Sequence, residues 1–96
     1  MAAPAITAAD LAAVRDAIGF ASRGRPTDAT EAQQRIADPT ARKLVEWAIL
    51  RSGNNGADYT RVQAFITANP SWPNIAMFRR RAEAMLWRAD LAAIRA

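Results

Sequence analysis

Ninety-six residues, 51% hydrophobic and 23% charged, suffice for one small globular domain and are too apolar for a disordered chain. The absence of cysteine and histidine excludes a disulfide framework, thiolate chemistry and the commonest general base and metal ligand. The net charge of +4 belongs to the second half: residues 1–48 set six basic against six acidic side chains, and residues 49–96 set seven arginines against Asp58, Glu83 and Asp90.

No apolar run approaches the roughly 18–20 residues of a membrane span, and the opening M-A-A-P-A-I-T lacks a signal-peptide core of about 7–15 apolar residues. The expectation is a soluble chain, any export signal having been removed or never present. Alanine dominates the apolar class while β-branched and aromatic residues are sparse, which favours helix throughout. The expected fold is all-α, a single helical domain over residues 1–96.

In chain order, Thr7-Ala-Ala-Asp10 reads as a capping box opening a helix over 8–22. Leu11, Val14, Ile18 and Ala21 form its apolar stripe, with Phe20 off the stripe and Gly24 and Pro26 as stops. Thr27 or Asp28 then caps a short helix over 28–37 with a thin stripe of Ala29, Ala32 and Ile36. The central helix runs over 40–52, with Asp38 as cap, Pro39 at the first helical position and Gly53 as the left-handed stop. Leu44, Val45, Ala48 and Ile49 fill one of its faces and Trp47 and Leu50 another, so it should be packed on two sides.

Asn54-Asn55-Gly56 is turn chemistry, after which Asp58 caps a helix over 59–68 bearing Tyr59, Val62, Phe65 and Ile66. That helix must stop before Pro70. In the connector A-N-P-S-W-P, Trp72 is expected to plug a gap between helices. Pro73 opens the fifth helix, over 74–88, with Ile75, Phe78, Ala82, Met85 and Leu86 as its stripe and a partial segment over 90–96 beyond. The core is expected to comprise Leu44, Val45, Trp47, Ile49, Ile66, Phe78 and Leu86. Ile36-Ala-Asp-Pro39 and Thr67-Ala-Asn-Pro70 lie 31 residues apart, a faint repeat of the kind seen in α-solenoids built from antiparallel helix hairpins.

Three strings carry a family resemblance. D-P-T-A-R-K-L-V-E-W-A-I-L-R (38–51), A-F-I-T-A-N-P-S-W-P (64–73) and R-R-R-A-E-A-M-L-W (79–87) resemble the start of the N-terminal superhelical region of alphaproteobacterial soluble lytic murein transglycosylases. The resemblance covers roughly residues 26–88. It implies an α-solenoid in the periplasm, beside a separate lysozyme-like domain that cleaves the glycan strands of peptidoglycan with one glutamate as acid/base. The glutamate-serine pair and the glycine-leucine-methionine-glutamine string of that domain have no counterpart here, so no catalytic residue carries over. What is implied is a scaffold fragment whose partners are the rest of such an enzyme and peptidoglycan strands.

Independent chemistry is poorly supported. Glycoside cleavage wants a carboxylic acid in an apolar concavity, and Glu46, between Val45 and Trp47, is the nearest candidate. Its helical neighbours Arg42 and Lys43 argue for a structural role instead. No catalytic, cofactor-binding or metal-ligating residue is assigned, and no cofactor is expected. A partner or glycan surface would draw on Phe20, Trp72, Arg79, Arg80, Trp87 and Arg88. A free-standing helical-repeat interaction module is the second reading. Nucleic-acid binding is the weakest, because the arginines spread around the fifth helix and form no single strip. Apolar residues at the C-terminal third, Leu91 and Ile94 among them, suggest homodimerisation there.

Overall fold

A computed structural model of the chain describes residues 6–53 and 55–95. Asn54 of the expected turn, Ala96 of the expected last segment and the opening residues 1–5 lie outside the described residues. Among the described residues there are five α-helices and no strand: α1 (Ala8–Ser22), α2 (Pro26–Gln34), α3 (Pro39–Arg51), α4 (Tyr59–Ala68) and α5 (Ile75–Arg95). The fold class is all-α. Within the chain two compact units are distinguished, Met1–Gly56 and Ala57–Ala96.

The first unit packs α1, α2 and α3 against one another. Its core is largely alanine: Ala13, Ala17, Ala21, Ala29, Ala32 and Ala41, joined by Val14, Ile36, Val45 and Ile49. A methyl group is the smallest side chain that still excludes water, so helices meeting on alanine faces can lie close together. This choice of face corrects the expected stripe of α1. Val14 and Ala21 are buried, but Leu11 and Ile18 stay largely exposed, because the tightest contact is made on the side of Ala13 and Ala17.

The helix ends show where local chemistry decides. Thr7 Oγ1 accepts from the Asp10 N–H at 3.0 Å, which is half of a capping box. Asp10 does not complete it. Its carboxylate is buried and turned to the α2–α3 link, with Oδ1 accepting from the Ala37 N–H and Oδ2 from the Asp38 N–H, each at 3.0 Å. Asp38 in turn caps α3, accepting from the Ala41 N–H at 2.8 Å. At the end of α1, Gly24 sits at φ 72°, and the Arg25 N–H reaches the Phe20 carbonyl while the Gly24 N–H reaches that of Ala21. Those two bonds are a Schellman ending, which a glycine accommodates without strain. Pro26 does not merely stop α1. It is the first residue of α2, so neither Thr27 nor Asp28 is the cap. Nor does Gly53 end α3 in a left-handed turn: Ser52 is extended there. The last carbonyls are held by side chains, Ser52 Oγ on Ala48 and Asn55 Nδ2 on Leu50 and Ser52.

On α3, Ala41, Val45, Ala48, Ile49 and Leu50 are buried. Leu44 is 42% exposed and does not join the core, since its place on the helix lies beyond the edge of the Val45 face. Trp47 is only half-buried, with the Arg51 guanidinium 4.8 Å from the centre of its ring.

The second unit is a helical hairpin of α4 and α5. Asp58 caps α4 by accepting from the Arg61 N–H at 2.8 Å. Phe65, near the end of α4, meets Phe78, near the start of α5, edge-on at 5.8 Å, while Tyr59 and Gln63 lie across a groove from Glu83 and Leu86. Early residues of one helix therefore face late residues of the other, and the pair is antiparallel. The link is stiffened by Asn69, whose buried side chain donates to the Phe65 carbonyl, and by Asn74 in a left-handed conformation at φ 67°. Asn74 thus sits where Pro73 was expected to open α5, and the helix begins at Ile75. No break follows near residue 89. From Ile75 to Arg95 the chain contains neither glycine nor proline and is rich in alanine and arginine, so nothing interrupts the hydrogen-bond ladder. Ile66 and Phe78 are buried, whereas Leu86 is 44% exposed, because it lies where α5 passes the start of α4.

Urea unfolding should separate these roles. Asp10→Ala strands two N–H groups and should cost about 2–3 kcal/mol. Asp16→Ala, which removes an exposed 3.4 Å pairing with Arg35, should cost about 0.5 kcal/mol or less. Likewise Phe78→Ala should lose about 3–5 kcal/mol by opening a cavity, against about 1 kcal/mol or less for Leu86→Ala.

Candidate interaction surface

The two helices of the second unit differ in length. At about 1.5 Å per residue, α4 is roughly 15 Å long and α5 roughly 31 Å, so α5 continues well past the start of α4. The residues of α5 that become buried, Ile75, Phe78 and Ala82, all lie in its first half. Beyond them Trp87 is 66% exposed and Ile94 79% exposed, with Leu91 half-exposed between them. Ala84, Trp87, Leu91 and Ile94 recur at spacings of three, four and three residues and so share one side of the helix. That side is roughly opposite the stripe of Ile75, Phe78 and Ala82 that packs on α4. The distal half of α5 is thus apolar on a face that its own unit leaves open.

The residues singled out from the sequence do not come together. Phe20 is half-buried against the alanine core of the first unit, with the guanidinium groups of Arg23 and Arg25 at 5.4 and 5.1 Å from its ring centre. Its role there is packing and cation–π contact. Trp72 is half-buried and meets Phe65 edge-on at 5.6 Å, extending the contact of Phe65 with Phe78. Such pairs contribute about 0.5–1.5 kcal/mol beyond area burial, which makes Trp72 part of the hairpin's own packing. Arg79, Arg80, Trp87 and Arg88 are exposed on α5. Only these last four are placed to meet another molecule.

Arg79 also lines the groove with Tyr59, Gln63, Ile66, Ala82, Glu83 and Leu86. Its volume of about 210 Å³ falls short of the ~300–1,000 Å³ of small-molecule pockets. A wider depression over Tyr59, Thr60, Gln63, Ala64, Thr67 and Ala68 draws on α4 alone and has no second wall. Glu46 is half-buried and held in place: Gln33 Nε2 donates to its Oε1 at 3.0 Å and to the Arg42 carbonyl at 3.1 Å. That tether ties α2 to α3. Among the described residues no three carboxylates gather as metal ligands, and no helix is long and apolar enough to cross a membrane.

No family model, curated protein or solved structure matches this chain. The open face of α5 is therefore characterised by its own geometry.

The exposure of Trp87 can be read directly in solution. The chain has three tryptophans, of which Trp47 and Trp72 are half-buried. At low micromolar concentration, iodide should quench a distinct, accessible component of the fluorescence. Trp87→Phe should remove most of that component, and Trp72→Phe should leave it in place.

Proposed function

We propose that this chain is a non-catalytic helical scaffold that docks other molecules on the distal half of α5, in the setting of a periplasmic soluble lytic transglycosylase. The observation that carries the scaffold reading is the open apolar face of α5, where Trp87 stands two-thirds exposed on a helix anchored at its other end by Phe78. A rigid helix presenting a large aromatic loses little conformational entropy when it docks. The three strings at 38–51, 64–73 and 79–87 favour the cell-wall setting, in which the helical region positions glycan strands or partner proteins near a separate catalytic domain. The short links 23–25, 35–38 and 69–74 are compatible with the local helix-on-helix packing of a solenoid.

The same face would equally serve a free-standing helical interaction module, and a sacculus assay separates the two. The chain is expected to pellet with purified sacculi and to release no anhydro-muropeptides from them. Release would overturn the non-catalytic reading. Failure to pellet, together with inertness, would remove the cell-wall setting and leave the free-standing module.

A further inference from the structure

The distal half of α5 carries more than an apolar stripe, because its flanking charges are sorted by side. Taking Ala84 and Leu91 as a positions and Trp87 and Ile94 as d positions of a heptad, Glu83 and Asp90 fall at g, and Arg81, Arg88 and Arg95 at e. One flank of the seam is therefore acidic and the other basic. Glu83, Arg88, Asp90 and Arg95 are all exposed. Arg80, at the d position before Ala84, marks where the apolar seam begins, and upstream of it α5 is engaged by α4 through the opposite side.

From this arrangement we infer that the distal half of α5 pairs with the same helix of a second copy of this chain, as a short parallel two-stranded coiled coil. The inference rests on reading that half of α5 as the docking face, and it names the occupant. In a parallel pair, the g residue of one helix lies against the e residue of the other five places further along. Glu83 then meets Arg88 of the second copy, and Asp90 meets Arg95 of the second copy. Both relations hold again with the copies exchanged, so one register matches four opposite-charge pairs. An antiparallel pair would instead set g against g and e against e. That places Glu83 and Asp90 among carboxylates and the arginines among arginines, which is repulsive. Charge thus selects both the partner and its direction. The seam itself buries Trp87 and Ile94, the two most exposed large apolar side chains on the helix. A two-fold axis along the pair makes each copy's patch its own complement.

The seam spans under two heptads, so the association is weak and the test must reach high concentration. Sedimentation equilibrium of the whole chain from about 5 to 200 µM, a range suited to a small interface, should show the mass rising from one chain toward two. Glu83→Arg with Asp90→Arg leaves both flanks basic, and Arg88→Glu with Arg95→Glu leaves both acidic from residue 83 onward. Each double variant alone should stay at one-chain mass, and an equimolar mixture should regain two-chain mass. That recovery also shows that neither variant has lost its helix. Because the chain contains no cysteine, Ile94→Cys gives a single thiol. This variant should oxidise to a disulfide-linked dimer, since only a parallel pair brings residue 94 beside its own copy. A parent chain that stays monomeric across the range overturns the inference. So do double variants that dimerise alone, a mixture that does not, or an Ile94→Cys dimer whose thiols fail to cross-link. A monomer that pellets with sacculi leaves the scaffold reading standing while removing self-pairing. A dimer that ignores sacculi keeps self-pairing and removes only the cell-wall setting.

Discussion

A buried carboxylate holds the first unit in register. Asp10 sits in the first turn of α1, yet both of its oxygens are engaged by N–H groups of the link between α2 and α3. Those donors belong to residues that no helix ladder satisfies, and their hydrogen bonds in turn offset the cost of taking the carboxylate out of water. The arrangement fixes where α3 starts relative to α1. Asp38 carries the constraint onward: its backbone N–H is held by Asp10 while its side chain caps α3 at Ala41. Two aspartates in series thus join three helices.

This restraint matters because the surrounding core is permissive. Faces built from Ala13, Ala17, Ala29 and Ala32 offer little shape to specify a register, since methyl groups slide past one another more readily than branched side chains interlock. Close approach still gains dispersion and excludes water. Direction and register then come from polar ties at the rim, namely Asp10 on the α2–α3 link and Gln33 on Glu46 and the Arg42 carbonyl. Large apolar groups such as Leu11, Ile18 and Leu44 are left exposed outside that core.

The second unit uses the opposite means. Its register is set by bulky rings, with Phe65 between Trp72 and Phe78 in edge-to-face contacts that tolerate little displacement. A stiff link ending in left-handed Asn74 aims α5 back along α4. Because α5 is about twice as long as α4, its far half runs on past α4 as a continuous helix anchored at its root. A helix supported in this way keeps an ordered apolar face in water without covering it. That combination is what makes the face available to a partner.

What the sequence by itself determined was chiefly local. Thr7, Asp38 and Asp58 announce the starts of α1, α3 and α4, because a short polar side chain beside free N–H groups needs no tertiary partner to act. The all-α class followed from composition for the same reason. Faces were legible where a bulky residue had only one side to go, as with Ile49, Ile66 and Phe78. They were not legible where alanine competed with leucine. Periodicity weighs residues by hydrophobicity, and so ranks Leu11, Leu44 and Leu86 above Ala17, but burial depends on how closely two backbones approach. Only the tertiary structure decided that. It also decided the partners of Asp10, 27 and 28 residues away, which no local rule reaches. The uninterrupted run of α5 was in the sequence all along, in residues 75–95 without a breaker. That half of this helix would be left open depended on the length of α4, and the charges sorted along its open side acquire meaning only once that side is known to be uncovered.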